Sequence, residues 1–386
     1  MDLVARFGTA LPRMLADITE LVNCESPSSD AAALARSADT VARLGDRLLG
    51  RAPDRYVIAG IPHLRWHWAS RPSGAGRRVL LLAHHDTVWP IGSLAAHPCR
   101  TDGPVLRGPG CFDMKTGVVM ALYAVAALPD PAGVTLLVTG DEEVGSPTSR
   151  ELIEREARAC SAVLVLEGAA TGGLLKWARK GVSRYDIVVR GRAAHAGLDP
   201  ESGVNATVEL ARQVLAVEML GNPGLGTTVT PTLVEAGTSA NTVPARGQFA
   251  VDVRATTPEE QQRVDAAMRA LTPALAGASV EVLGGPNRPP MTTRSTRALF
   301  DRAQILAGEL GLGDIGAASV GGGSDGNFTA GLGIPTLDGL GAVGGGAHSD
   351  QEHVLLDHVP SRTALVAALI GDQLLPTGCP NIFRSF

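Results

Sequence analysis

Apolar runs and helical stripes alternate through the first half of the chain. The run "RVLLLA" is followed by "TGVVMALYAVAAL", "GVTLLVTG" by "SRELIEREARA", and "AVLVLEG" closes the series. Short apolar runs separated by helical ones predict strand, helix, strand, helix, strand: a mainly parallel sheet covered by helices. Thr148 and Glu151 predict a capping box at the start of the second of these helices.

From about Ser183 the rhythm changes. "SRYDIVVRGR" alternates, "GVNATVELARQVLAVEML" is helical, and "TTVTPTLVEAG" and "GQFAVDVRA" are strand-like. "PEEQQRVDAAMRALTPAL" is helical, with Thr257 and Glu260 as a capping box and Pro258 in the first helical position, and "ASVEVLGG" is a strand. The order β-α-β-β-α-β is the ferredoxin-like arrangement, whose ends lie close enough for insertion into another domain. After "GGPNRPP" the α/β rhythm resumes through "TRALFDRAQILAGEL", "IPTLDGL" and a last helix, "SRTALVAALIGDQLL". The predicted fold class is α/β, with residues 1–180 and 290–386 forming one domain and 181–289 inserted into it.

Composition narrows the function. At 386 residues, 45% hydrophobic and 19% charged, the chain can bury a sizeable core and exceeds most single domains. The balance of 34 basic against 39 acidic residues, with no basic block, excludes a nucleic-acid partner. The first residues mix Asp2, Arg6, Arg13, Asp17 and Glu20 among apolar positions, unlike a signal peptide, and no run reaches a membrane span. The expectation is a soluble cytoplasmic protein without membrane association. Its five cysteines, Cys24, Cys99, Cys111, Cys160 and Cys379, are scattered and never form a C-x-x-C pair, which argues against disulfides and a thiolate zinc site.

The stretch "LLVTGDEEVGS" then raises a question of charge. Asp141, Glu142 and Glu143 stand side by side where a buried strand ends, and adjacent carboxylates repel one another unless cations lie between them. "LLLAHHDTV" puts His84, His85 and Asp86 at another strand end, the region where open α/β sheets bind ligands. An imidazole ligand oriented by a carboxylate two residues on suits a metal. "GPGCFDMKTG" places Asp113 in a Gly-rich turn before a helix, "VLVLEGA" adds Glu167, and "GGGAHSD" presents His348. His84, Asp113, Glu142, Glu143, Glu167 and His348 together fit two Zn²⁺ ions sharing a carboxylate bridge. Two adjacent glutamates divide the labour: one side chain reaches the metal, and the other stays off it to take a proton from water.

Jointly, "HHDTV", "GPGCFDMKTG", "GDEEVGS", "RGRAAHAG", "GGGSDG" and "AHSD" resemble the motifs of the co-catalytic zinc hydrolases that include glutamate carboxypeptidase, aminoacylase and succinyl-diaminopimelate desuccinylase. The resemblance runs in order over nearly the whole chain, closest to glutamate carboxypeptidase. It implies a zinc-peptidase catalytic domain and an inserted lid that also forms a homodimer. It implies two Zn²⁺ per chain, with Co²⁺ or Mn²⁺ as alternatives, held by His84, Glu143, Glu167 and His348 with Asp113 as the bridge. Glu142 becomes the general base, Asp86 the partner of His84, and His195 a group that reaches the partner subunit's site to steady an oxyanion. Asn241 and Arg254 match lid positions that contact the substrate and its carboxylate, and Gly323 of "GGGSDG" lines the carboxylate pocket. Ala83 and Met114 depart from common family residues without removing a ligand.

The same comparison gives Glu167 weight, because tripeptidase and dipeptidase branches tend to have Asp there whereas carboxypeptidases and deacylases have Glu. The reading is a metal-dependent hydrolase of an amide bond next to a free carboxylate, acting on a small N-acyl amino acid or dipeptide. A deacylase, desuccinylase or dipeptidase of the same family is the alternative, and an inactive ligand-binding relative the rival from another class. His85, His63, His67, His353 and His358 read as core or surface histidines, and Cys111 as a packing residue.

Overall fold

The computed structural model describes residues 2–70 and 77–375; Cys379 lies outside them. The described chain divides into two compact units. The larger is drawn from the chain up to Ala178, from Met291–Val320 and from Ser324 onward; the smaller comprises Arg179–Pro290 with Gly321–Gly323.

In the larger unit the strands Val79–His84, Val134–Thr139 and Ala162–Val165 are buried at every position, as their unbroken apolar runs require. One face of the sheet sends Leu80, Leu82, Leu137, Val163 and Val165 against Leu152, Ile153, Ala157 and Phe328. The other sends Val79, Leu81, Leu136, Val138 and Leu164 into the main core with the helices Thr116–Ala126 and Val359–Leu374. Each aliphatic side chain so buried contributes about 1.5–3 kcal/mol, which is why these runs form the centre of the molecule. These three strands and Thr336–Leu337 run parallel. The sheet therefore has helices on both sides and a mainly parallel centre, as the pattern predicts.

Two of the features that the pattern does not predict bear on the sheets. An antiparallel hairpin, Asp54–Ile58 and Ile61–His67, extends the sheet to six strands beside Val134–Thr139. Its two-residue turn holds Ala59 at φ 48° and Gly60 at φ 85°, the primed turn usually announced by Asn-Gly. A second, small antiparallel sheet joins Arg100–Asp102, Val105–Arg107, His353–Leu355 and Gly344–Gly345. Strands of two or three residues are too short to carry a readable period.

The smaller unit has the β-α-β-β-α-β order, with its antiparallel strands arranged Thr228–Ala236, Arg246–Ala255, Gly181–Arg190 and Ser279–Arg288. Phe249, Val251 and Val253 pack with Tyr185, Ile187 and Val189 beneath Leu210, Val217, Val264 and Met268 of its two helices. Thr257 caps the second helix by accepting the Glu260 N–H at 3.3 Å. The Glu260 carboxylate accepts from Thr227 and Arg263.

The capping box expected at Thr148 and Glu151 does not form. The helix begins at Arg150 with Ser149 at its cap, and the amides and hydroxyls of Thr148 and Ser149 all donate to Asp141. A buried carboxylate is a stronger acceptor than a hydroxyl and takes these donors.

Candidate metal centre

Three parallel strands end at one edge of the large sheet. Val79–His84 is in register with Val134–Thr139, His84 opposite Thr139, and Leu82 lies opposite Val165. Glu142, Glu143 and Glu167 follow within four residues of their strand ends, so backbone register alone carries three carboxylates to His84.

The remaining donors come from the small antiparallel sheet. Val105–Arg107 runs into the turn Cys111–Lys115, which carries Asp113, and the loop between Gly344–Gly345 and His353–Leu355 carries His348. Because His353 pairs with Arg107, both loops leave the same end of this sheet. His348 holds a left-handed φ of 60°.

Asp113 faces both imidazoles with different oxygens. Its Oδ1 lies 3.4 Å from His84 Nε2 and its Oδ2 3.4 Å from His348 Nε2. Glu167 Oε1 is 3.5 Å from His84 Nε2, and Glu143 Oε2 is 3.1 Å from His348 Nε2. His84, Asp113 and Glu143 offer donor atoms within 4.8 Å of one another, and so do His84, Glu142 and Glu167.

Protonation follows from these neighbours. Burial works against a charged His84, but the carboxylates of Asp113, Asp86 and Glu167 outweigh it and hold its pKa well above the usual imidazole value. Hydrogen bonding to Asp113 and Glu143 lifts His348 to about 10. Burial raises Glu143 to about 7, only partly countered by His348. Burial also opposes ionisation of Asp113, yet the two imidazoles keep it below the ordinary carboxylate range.

These residues fit divalent metal. His84 Nδ1 lies 3.0 Å from the Asp86 carbonyl, which can only accept, so Nδ1 keeps its proton and Nε2, facing the carboxylates, is the nitrogen that would give up its proton to a cation. His84 Nε2 and Glu143 Oε1 are buried without a hydrogen-bond partner. A buried polar atom costs free energy when unsatisfied, and imidazole nitrogens with carboxylate oxygens are a donor set that a cation satisfies.

Asp86 has a second task that the sequence did not reveal. Fully buried, it sits 3.3 Å from His84 Nδ1 through Oδ1 and also accepts the backbone N–H groups of Glu142 (3.2 Å) and Glu143 (3.1 Å). Ser28 donates at 2.7 Å to Oδ2, the oxygen that also accepts the Glu143 N–H. One carboxylate thus orients an imidazole and fixes the turn bearing two glutamates. Asp141, by contrast, turns away from the centre toward Thr148 and Ser149. His85 is buried with Nε2 donating to the Pro62 carbonyl, and burial lowers its pKa to about 4. His63 accepts the Gly140 N–H and meets Thr148, a core role, and Cys111 is buried with a raised pKa.

In the smaller unit His195 pairs with Thr242, and Ala196 N–H donates to the Asn241 carbonyl, so His195 and Asn241 are neighbours. The N–H groups of Gly197 and Leu198 both donate to His195 Nδ1, which leaves its Nε2 as the proton-bearing nitrogen. Arg254 is not brought to them. It lies eight residues along the strand from Arg246, about 26 Å at a rise of 3.3 Å per residue, and its guanidinium grips Asp252 at 2.7 and 3.0 Å. The Gly323 carbonyl accepts from Arg179, as does that of Gly322.

Comparison with known proteins supplies context. Residues 80–372 match the model of peptidase family M20/M25/M40. Carboxypeptidase G2 of Pseudomonas sp. (strain RS-16) is 32% identical over 376 residues, covering 94% of this chain and 89% of that protein. A succinyl-diaminopimelate desuccinylase of Caulobacter vibrioides is 30% identical over 203 residues, 47% of this chain and 52% of its own length. In fold, the chain is similar to a dinuclear metal-binding peptidase of the M20 family from Bacillus subtilis, with a TM-score of 0.62, 16% identity, and coverage of 95% of this chain and 100% of that one.

Proposed function

This chain belongs to peptidase family M20/M25/M40, a hydrolase of C–N bonds, and on that footing we propose that it cleaves the amide bond next to a free carboxylate in a small N-acyl amino acid or dipeptide. One observation carries the reading. A single carboxylate, Asp113, offers one oxygen to each of two imidazoles, with Glu167 beside the first and Glu143 beside the second. That is the donor arrangement for two divalent ions sharing a bridge, and we assign zinc.

His84, Asp113 and Glu167 would hold one ion, and Asp113, Glu143 and His348 the other. Divalent ions bound there would supply Lewis acidity toward a carbonyl and would lower the pKa of water from 15.7 toward roughly 7. Glu142 accepts the proton of the attacking water and returns it to the leaving nitrogen. Asp86 keeps Glu142 and Glu143 in place through their backbone N–H groups. His195 Nε2–H is a hydrogen-bond donor suited to a developing oxyanion. Arg254 exchanges Asp252 for the substrate carboxylate, to which its planar fork is matched.

The smaller unit also supports a homodimer. His195 and Asn241 adjoin the Arg246 end of the strand Arg246–Ala255 and Arg254 stands near its other end, eight residues or about 26 Å from Arg246, a separation that favours their meeting one small substrate from two copies of the chain.

The test combines metal content with substrate choice. Purified protein should carry about two divalent ions per chain and hydrolyse N-acyl amino acids in preference to their C-terminal amides. A chelator should abolish the activity and added metal restore it. One ion or none after zinc is supplied would overturn the dinuclear reading, and equal cleavage of acid and amide would overturn the substrate class.

A further inference from the structure

The metal-centre reading leaves one buried carboxylate beside the donors without a role. Glu352 is 3% exposed and stands four residues after His348, at the start of His353–Leu355. Its Oε1 accepts the backbone N–H groups of Phe112 (2.9 Å) and Asp113 (3.0 Å). Its Oε2 accepts the N–H of Gly110 (2.9 Å) and the indole N–H of Trp89 (2.7 Å). Gly110 makes its contact from a left-handed φ of 70°, where a Cβ would strike the Thr87 methyl, so only glycine presents that N–H.

We infer that Glu352 is a positioning residue for the metal centre, locking the Asp113 loop and the His348 loop together so that the two oxygens of Asp113 meet two different imidazoles. It forms the counterpart of Asp86. Asp86 holds the amides of the Glu142–Glu143 turn from the large sheet, and Glu352 holds those of the Asp113 turn from the small one. Turns link Gly346 to Ser349 and Ser349 to Glu352, so the clamp on Asp113 is passed directly to the loop of His348. Four donors converge on this carboxylate, and all four need an acceptor. Glutamine has one acceptor oxygen and turns an NH₂ toward the remaining donors.

The inference rests on the metal-centre reading and is tested on the loaded and metal-free full-length protein. Glu352→Gln should weaken divalent-ion binding by about 10–100-fold in chelator competition, and should shift the visible absorption of the cobalt-loaded protein, which reports ligand geometry. Asp17→Asn is the control for stability: Asp17 is a buried carboxylate bound to Arg47 and Tyr123, with no contact to the donors. It should lower Tm as Glu352→Gln does while leaving metal affinity and the cobalt spectrum at wild-type values. Wild-type affinity and spectrum in Glu352→Gln would overturn the inference, as would an equal loss in Asp17→Asn. If Glu352→Gln does not fold, Trp89→Phe decides, because it removes one donor from Oε2 and leaves the carboxylate. Affinity about threefold weaker with a shifted cobalt spectrum supports the clamp, and unchanged values overturn it. Wild-type protein that takes up no divalent ion would instead overturn the metal-centre reading itself.

Discussion

Glu142 and Glu143 share a backbone turn, and the Asp86 carboxylate accepts both of their N–H groups, yet their side chains have different neighbours. Glu143 reaches His348 and Asp113, and burial raises its pKa to about 7, so in the metal-free protein it is easily neutralised and gains most from a cation. Glu142 offers its oxygen near His84 and Glu167. With Glu142 as the proposed general base, Glu142→Gln should keep the metal while kcat falls by about 10² to 10⁴, the usual contribution of general acid-base catalysis. Glu143→Gln should lose metal first, measured as ions per chain after dialysis. Identical behaviour of the two variants would refute this division.

Elements explain why the third carboxylate of the trio behaves differently. Asp141 is 1% exposed and organises the turn between the strand Val134–Thr139 and the helix Arg150–Arg158 by accepting from both Thr148 and Ser149. Asp141→Ala should cost roughly 3 kcal/mol of stability, since several buried donors are left unmet at about 1–3 kcal/mol each. The loss should appear as a lower denaturation midpoint with two ions per chain retained. Loss of metal at unchanged stability would place Asp141 in the centre after all. Two sheets divide the donors in a similar way. The large one presents His84 and the glutamates, and the small one presents Asp113 and His348, so formation of the centre depends on both folding.

At the scale of the whole molecule, the proposed chemistry asks for a second copy of the chain. His195 lies in the short strand pair with Thr242, next to Asn241, beyond the Arg246 end of the strand that carries Arg254 near its other end. If the partner subunit's His195 completes the site, mixing an inactive His195→Ala chain with an inactive Glu142→Gln chain should restore activity, because one site in each heterodimer then has both groups. Recovery of up to about a quarter of wild-type activity is expected from random pairing, in which half the dimers are mixed and each has one intact site. No recovery in purified heterodimers would assign His195 to its own subunit or to a structural role.

Much of this was legible in the sequence because it is a matter of period and of residue type. Short apolar runs alternating with helical stripes read as buried strands of a parallel sheet, the β-α-β-β-α-β order names its own topology, and histidines with carboxylates at strand ends announce metal. Tertiary structure alone decided the rest. Ala59 gives no turn signal, so the hairpin that widens the sheet was invisible, and strands as short as Gly344–Gly345 leave no pattern. The capping role assigned to Thr148 failed because Asp141, seven residues away, competes for the same donors. That Asp113 turns one oxygen to each imidazole, and that Asp86 and Glu352 hold the glutamate and Asp113 turns by their amides, are facts of direction in space. A sequence states which groups a chain carries; only the packed backbone decides which way they face, because that depends on residues hundreds of positions apart meeting within a hydrogen bond's length.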